Sequence, residues 1–504
     1  MILAAVLLLP FLNKPFTIDD PLFLGAAQHV LVDPLHPGDF EQVWNAGDRQ
    51  RLSEYWVGGA VPAYLLVPVA LTGNREWVAH LYQLLLLCVF LWATVDFAER
   101  LGCDRMQAGA VGLLTASNPV TLAMAATCMP DIMAAAFAML GMGRVIAFRE
   151  ERRVRDGLAA GLFLALAITC RGTTAMLFVV AALLLAPSSV KRAASYYWPL
   201  LLAAATVGAI LMLNRGVAGS FQSLTSIRNV PRNLVAFLCF QALTGPVLVY
   251  WLLIAGRRFL AAVAALVALG CALAWAAGSS NLRQYAVPAA LGICFLAAVL
   301  GLLRELRHAV PLAVWAGAGL IAAPYVHMAA KYLLPGVPAM ALLVVLHGAK
   351  LQPQRFRFLT ALLIAAGGAA GLLIVVGDST LAGSQRAAVE QLVTPAVQRG
   401  RTVWAGGQWA FLYYAQRAGA KALANQPPLP QSGDAIVISR LDYYGMLDRL
   451  PLDLDLVRVK PDTRCGVFIL NRPHAAGFYS IRFGYLPFAL GCGEVNRYDV
   501  YRVR

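Results

Sequence analysis

Apolar stretches of about 17–25 residues recur along the chain, and they limit what it can fold into more than any other feature. They run from the first residues to about residue 376 of a chain of 504 residues, 60% of which are hydrophobic and 13% charged. Each stretch is long enough to cross the roughly 30 Å hydrocarbon core of a bilayer as a helix. Soluble domains carry about 25% charged residues. The pattern therefore predicts a polytopic α-helical membrane protein.

The composition changes after residue 376. Polar residues, glycine, proline and charges return, and no later stretch is long enough to span a bilayer. Segments typical of short strands and of one helix follow, at 401–404, 409–418, 434–439, 465–470 and 498–503. We therefore expect a transmembrane domain at 1–376, with a long outer loop at 13–76, and a small α/β domain at 377–504.

The basic residues indicate how the chain is oriented in the membrane. They concentrate in short loops between the apolar stretches, at Arg100/Arg105, Arg149–Arg155, Lys191/Arg192, Arg257/Arg258, Arg304/Arg307 and Lys350–Arg357. Such loops are typically cytoplasmic. A trace that obeys this rule has about thirteen transmembrane helices, beginning with a retained first helix within residues 1–12. It has single spans at 108–126, 234–255 and 310–330, and a pair of helices at 157–186 that is broken at Arg171-Gly172-Thr173-Thr174. It leaves the 13–76 loop and the 377–504 domain outside. The net charge of +15 forms no basic patch with interleaved aromatics, so we expect no nucleic-acid partner.

Unusual ionisable residues gather on the outer side of this trace. Charged groups at membrane depth are costly and are by default candidates for function. An acidic pair, Asp19 and Asp20, opens the outer loop. The further candidates are Asp131, Arg171, Arg283, Lys331 and its neighbour Tyr332. Carboxylates and cations that face one pocket suit a phosphate-linked donor, because cations hold the phosphate and a carboxylate accepts a proton.

Several of these residues also have a structural explanation. Asp20 precedes Pro21, and Asp131 follows Pro130, so either acid is a candidate helix cap. Arg171 and Lys331 could extend to the membrane interface as amphipathic side chains do. A second acid beside Asp20 is not needed for a cap, which favours a functional role for the pair.

The cysteines leave two questions open. Cys465 and Cys492 lie in the predicted outer domain, where either a disulfide or two buried thiols would fit. The sequence contains no CxxC or Cys/His spacing typical of a metal site. We name no metal ligands, and whether the protein uses a divalent metal cofactor stays an open question.

Five motifs, taken in their order and on their side of the membrane, give the chain a family resemblance. They are Asp19-Asp20-Pro21, Met129-Pro130-Asp131, Thr169-Cys170-Arg171-Gly172, Lys331-Tyr332-Leu333-Leu334-Pro335 and Gly406-Gly407-Gln408-Trp409. Together they resemble the GT-C membrane glycosyltransferases, specifically the bacterial relatives of protein O-mannosyltransferases and of the lipid A aminoarabinose transferase. Relatives often have Asp-Glu where this chain has the acidic pair, and Lys where it has Arg171.

The resemblance implies an inverting hexosyl or pentosyl transferase that takes a sugar from a polyprenyl-phosphate donor. The acceptor would be a lipid, a glycan or a protein. Asp19 or Asp20 would be the catalytic base, and Asp131 would organise the acceptor or the base. Arg171 and Lys331 would contact the donor phosphate, and we expect Arg283 and Tyr332 to line the same site.

The expected protein is thus a multi-pass enzyme of the bacterial inner membrane with its active site and its α/β domain on the periplasmic side. One alternative is a polytopic transporter or lipid flippase, although the sequence shows no second copy of its broken helix pair. The other alternative is a non-catalytic membrane scaffold, which would not need the acidic pair.

Overall fold

The structure is a computed structural model. It describes residues 1–43, 47–55, 60–186, 193–213, 225–276, 280–306, 309–441, 445 and 447–504. Helices dominate the part before residue 400. Their bounds are Ile2–Leu8, Asp20–Val30, Leu52–Tyr55, Val61–Leu65, Val67–Ala70, Glu76–Arg100, Arg105–Ala116, Pro119–Ala125, Asp131–Glu151, Val154–Cys170, Met176–Leu185, Ala193–Leu213, Val230–Thr244, Pro246–Ile254, Arg257–Ala276, Ser280–Glu305, Ala309–Ala316, Val337–Gly348, Pro353–Ala388 and Thr394–Gln398.

Six helices of the described ranges are long and apolar enough to cross a membrane, or up to eight if each of two bent helix pairs is one span. The six are Glu76–Arg100, Asp131–Glu151, Ser195–Met212, Tyr285–Arg304, Ala330–Gly348 and Pro353–Gln398. This confirms a polytopic helical membrane protein. The count of about thirteen spans stays a prediction.

The two bent pairs meet at their breaks. Arg105–Ala116 and Pro119–Ala125 differ in direction by 62°, and Ile227–Thr244 and Pro246–Ile254 differ by 61°. Each second helix has a proline at its start. Proline is favoured in the first turn but cannot continue a preceding helix without losing a hydrogen bond. The Asn118 side-chain amide donates to the Thr244 carbonyl across 2.9 Å, which ties one break to the other.

The predicted break at Arg171 is confirmed. Helix Val154–Cys170 ends directly before Arg171, a 3₁₀ turn follows at Gly172–Ala175, and a new helix begins at Met176. In contrast, the span expected at 310–330 is wrong as a single helix, because Ala309–Ala316 ends early and a 3₁₀ turn occupies Ala318–Ala322.

After residue 400, the described residues form a five-stranded sheet and one α-helix, Trp409–Arg417. The strand order is Lys421–Ala422, Val403–Gly406, Ala435–Ser439, Ala489–Val503 and Leu454–Phe468. The first three strands are parallel, and the last two join antiparallel. These elements overlap the segments predicted as strands and helix. Helix Pro353–Ala388 runs on through the boundary expected at residues 376 and 377, and the two-domain division stays a prediction.

The cysteine question is settled in favour of a bond. Cys465 and Cys492 face each other in the antiparallel strands Leu454–Phe468 and Ala489–Val503 and form a disulfide. The other seven cysteines of the chain are free thiols.

Candidate active site

The acidic pair lies at the end of a buried segment, residues 14–20, which leads into helix Asp20–Val30. Apart from Asp19, which is partly exposed, every residue of this segment is buried. Ile18 has a backbone φ of 42°. A β-branched residue rarely adopts this left-handed conformation, which persists only where the surroundings hold it. The backbone directly before Asp19 is therefore fixed by its contacts rather than by local preference.

Asp19 is paired with Lys331. The Lys331 ammonium lies 2.7 Å from Asp19 Oδ2, and the side chains are 4% and 26% exposed, respectively. Burial raises the pKa of the Asp19 carboxyl, but the attraction and hydrogen bond of Lys331, with a contribution from Arg171, leave it lowered overall. Asp19 is thus ionised, in contact with a cation and open on one side.

Asp20 has a different environment. Its two oxygens accept the backbone N–H groups of Thr17, at 2.9 Å, and of Cys128, at 2.7 Å, and the residue is fully buried. Burial raises its pKa to about 7 although Lys14 and these two N–H groups oppose the shift. The capping explanation is wrong for Asp20, because the helix begins at this residue. Its carboxylate instead connects the 14–20 segment, through Thr17, to the turn before Asp131, through Cys128.

A second carboxylate–cation pair joins Asp131 and Arg171. Nε of Arg171 lies 3.1 Å from Asp131 Oδ1, with side-chain exposures of 15% and 3%. The other oxygen, Oδ2, is buried and has no hydrogen-bond partner among the described residues. Helix Asp131–Glu151 begins at this acid and makes no side-chain cap, so capping is wrong here too. The Arg171 guanidinium also lies over the Tyr332 ring, 5.4 Å from its centre.

The two pairs belong to one site. Met129, two residues before Asp131, places its sulfur 3.5 Å from the Lys331 ammonium. Lys331 and Tyr332 are neighbours on the 3₁₀ turn Ala330–Gly336. That turn packs closely on Gly319, where an added Cβ would collide with the Tyr332 carbonyl oxygen. The structure thus brings together Asp19, Asp131, Arg171, Lys331 and Tyr332, which lie far apart in sequence.

His327 adds a neutral ring beside these charges. It lies outside the candidate spans, and burial together with the nearby cations Arg482 and Lys331 lowers its pKa to about 3. Its Nδ1 has no hydrogen-bond partner in the described part of the chain. The imidazole is thus uncharged and its Nδ1 is unengaged.

Arg283 is the remaining candidate for the phosphate site. It lies in the first turn of helix Ser280–Glu305, but its side chain falls outside the described residues. Its assignment to the phosphate site stays a prediction. In the described parts of the chain, no group of three or more His, Cys, Asp or Glu residues is arranged to hold a metal ion.

Sequence reasoning missed a buried network beneath the acidic pair. Lys14 Nζ lies 2.6 Å from Asp378 Oδ2, and the two side chains are 0% and 1% exposed. Asp378 Oδ1 also accepts the hydroxyls of Thr17, at 3.0 Å, and of Tyr479, at 3.1 Å. The available signal was Asp378 itself, a single acid directly after a long apolar stretch, where charge is expensive.

Part of the chain matches a known protein family. The family model for dolichyl-phosphate-mannose-protein mannosyltransferases matches residues 61–214, a stretch that contains Asp131 and Arg171 but not Asp19 or Lys331. A comparison with curated protein sequences gives no match.

Solved structures with the same fold include ArnT from Cupriavidus metallidurans. The apo structure is 11% identical, with a TM-score of 0.51, and the match covers 99% of this chain and 96% of ArnT. The structure bound to undecaprenyl phosphate is 11% identical, with a TM-score of 0.52, and the match covers 91% and 95%. The family-model match and the fold match together support the resemblance to GT-C membrane glycosyltransferases. At 11% identity the likeness to ArnT is one of fold.

Proposed function

We propose that this protein is a glycosyltransferase that moves a sugar from a polyprenyl-phosphate donor to a lipid, glycan or protein acceptor at the periplasmic face of the bacterial inner membrane. One observation carries the proposal: two carboxylate–cation pairs, Asp19–Lys331 and Asp131–Arg171, occupy one buried site. The fold match to ArnT, which was solved with undecaprenyl phosphate, supports a prenyl-phosphate ligand.

The cations provide the phosphate site. Lys331 and Arg171 are largely buried, and each has a carboxylate partner. A phosphate that enters between them makes charge-assisted hydrogen bonds to both cations and competes with Asp19 for the Lys331 ammonium. Donor binding would therefore loosen Asp19 from its partner. The same cations stabilise the charge on the phosphate as it departs.

Asp19 is then the base. It accepts the proton of an acceptor hydroxyl while the hydroxyl oxygen bonds to the anomeric carbon from the face opposite the phosphate. The bond from that carbon to the phosphate oxygen breaks, and polyprenyl phosphate leaves with the electron pair. This in-line displacement inverts the anomeric centre. We assign the role to Asp19 rather than Asp20, because both oxygens of Asp20 are engaged by backbone N–H groups.

Asp131 positions a hydroxyl group of one of the two substrates. Its Oδ1 lies beside Arg171, and its buried Oδ2 lacks a partner among the described residues. A buried acceptor without a donor is costly, and a sugar or acceptor hydroxyl would satisfy it. Tyr332, whose ring lies under Arg171, keeps the guanidinium from turning away.

Two features support the proposed orientation. The basic loops follow the positive-inside pattern with the acidic pair on the outer side. The Cys465–Cys492 disulfide fits an oxidising compartment such as the periplasm. Labelling of single cysteines introduced in the 13–76 loop with a membrane-impermeant maleimide in whole cells tests this orientation. Labelling only after the inner membrane is permeabilised would contradict a periplasmic location of this loop.

Sugar transfer can be tested with purified protein in liposomes. The assay offers a panel of radiolabelled polyprenyl-phosphate hexoses and pentoses together with membrane extract as acceptor. Asp19→Asn should lower transfer by about 10²–10⁴-fold, the range of a general base. Asp33→Asn is the matched control, because Asp33 lies in the same outer loop but its side chain is 41% exposed and makes its hydrogen bonds with the nearby residues Leu35 and His36. Equal transfer by Asp19→Asn and wild type would refute the assignment.

A transporter or lipid flippase is the second candidate, favoured by the two bent helix pairs that touch at their breaks. Broken helices of this kind form substrate sites in many transporters. The liposome assay separates the two functions. A flippase would move a fluorescent prenyl-phosphate lipid between leaflets without forming any sugar-bearing product, and Asp19→Asn would leave that movement unchanged.

A further inference from the structure

We infer that the loop at residues 475–486 sets the geometry between the carboxylate of Asp19 and the ammonium of Lys331, with Tyr479 as the positioning residue. This inference rests on the proposed function where it concerns turnover. It assigns a role in the active site to a part of the chain that no motif singled out and that the matched family model does not cover.

The loop holds the backbone before Lys331. The Ala330 N–H donates to the Phe478 carbonyl at 2.7 Å, and the Ile481 N–H donates to the Met328 carbonyl at 3.1 Å. Two main-chain hydrogen bonds thus fix the residues that enter the 3₁₀ turn. Tyr479 lies in the chain between Phe478 and Ile481, which make these two bonds. Its ring faces the Lys331 ammonium, which is 5.8 Å from the ring centre.

The same loop also holds the segment that carries Asp19. The Tyr479 hydroxyl donates to Asp378 Oδ1 at 3.1 Å. That oxygen also accepts the Thr17 hydroxyl, and Oδ2 of the same carboxylate accepts Lys14. Asp378 therefore connects the tyrosine to two residues of the buried 14–20 segment.

The 475–486 loop is held in a compact conformation by its own main-chain contacts, so it can hold Lys331 and Asp378 in fixed positions. The Gly477 N–H donates to the Leu486 carbonyl at 2.7 Å, and the Leu486 N–H donates to the Ala475 carbonyl at 3.0 Å. Gly484 has a φ of 153°, and an added Cβ would collide with the backbone of Ala475. The main chain at 475–477 thus lies directly against the main chain at 484–486, which leaves the loop little room to deform.

A strained residue makes this external support necessary. Ile18, with its φ of 42°, lies between Thr17 and Asp19. If the Thr17 end of the segment loosens, Ile18 can relax, and Asp19 moves away from Lys331. A displacement of about 1 Å in a reacting group costs up to about a hundredfold in rate. A residue that never touches substrate can therefore control turnover.

The test compares Tyr479→Phe with Tyr485→Phe in full-length protein. Both changes remove one hydroxyl from a buried tyrosine of the same loop. Tyr479 loses its bond to Asp378, whereas Tyr485 loses a bond to the Tyr285 hydroxyl, 2.8 Å away. Two readouts are measured: kcat and KM for the polyprenyl-phosphate sugar, and hydrogen–deuterium exchange of the peptides that cover residues 14–24 and 326–333.

We expect Tyr479→Phe to lower kcat roughly tenfold, the size of one net hydrogen bond, with KM for the donor unchanged. Exchange in the 14–24 peptide should accelerate. Tyr485→Phe should match wild type in kcat and in both peptides. Tyr479→Phe with wild-type exchange and kcat, or equal effects of the two changes, would overturn the inference. If wild type transfers no sugar, the proposed function fails, and the exchange comparison alone still decides whether this loop holds the segment.

Discussion

Replacing one member of the buried Lys14–Asp378 pair should destabilise the fold strongly. The side chains are 0% and 1% exposed. Removal of one partner from such a pair costs about 3–5 kcal/mol, because the remaining charge is left uncompensated. Lys14→Met should lie near the lower end of this range, since the hydroxyls of Thr17 and Tyr479 still donate to Asp378. Asp378→Asn should lie near the upper end, since the Lys14 ammonium then lacks its carboxylate.

The double variant Lys14→Met/Asp378→Asn decides whether the charge is responsible. It removes both charges, and the amide oxygen can still accept from Thr17 and Tyr479. We expect it to recover to within about 2 kcal/mol of wild type, because neutral replacements of a buried pair are often well tolerated. The free energy of unfolding is measured in detergent micelles by titration with a denaturing surfactant, followed by tryptophan fluorescence.

An exposed pair provides the matched control. Arg51 lies 2.6 Å from Asp39, the same separation as in the buried pair, but these side chains are 56% and 42% exposed. Arg51→Met should change the free energy of unfolding by less than about 1 kcal/mol. If the double variant of the buried pair is destabilised by the sum of its two single changes, an uncompensated charge is not the cause of the destabilisation.

Three further predictions concern the donor, the pH response and the disulfide. Lys331→Met should raise KM for the donor by about 10–100-fold, the cost of one hydrogen bond to a charged group; steady-state kinetics with an unchanged KM would exclude phosphate binding by Lys331. The pKa of Asp20 is raised from 3.8 to about 7, so between about pH 4 and pH 7 the folded chain keeps a proton that the unfolded chain has released. The free energy of unfolding should therefore fall as the pH rises through this window, and surfactant titrations should find a weaker dependence for Asp20→Asn. Cys465→Ser should lower the free energy of unfolding by about 2–4 kcal/mol while sugar transfer remains, and loss of transfer in still-folded protein would contradict this.

Charged residues within or next to apolar stretches were the part of the site that the sequence could predict. Asp19, Asp131, Arg171 and Lys331 were singled out because ionisable groups in apolar stretches are costly, and the structure brings these four together. The break at Arg171 was also predictable, since the Gly-Thr-Thr that follows interrupts an apolar run.

The sequence could not distinguish the two acids of the pair, because their environments depend on contacts far along the chain. Asp20 is engaged by the backbone of Cys128, and Asp19 by Lys331. Tyr479 gave no signal, since a tyrosine in a polar tail is ordinary and its partner Asp378 belongs to a distant helix. The apolar runs at 108–126 and 234–255 each looked like one straight span, because a proline in an apolar run either bends a helix or starts a new one.

The network around Asp378 has a consequence for how the protein is made. Lys14 emerges from the ribosome long before its counter-ion, and Tyr479 emerges later still. During synthesis the Lys14 ammonium lacks its carboxylate partner until Asp378 has been made, and the 475–486 loop can join the arrangement only after its own residues have been made. The site is therefore completed only after the segments that carry Asp19 and Lys331 have been made, and a chain interrupted before residue 478 would lack the loop contacts to Ala330 and Asp378.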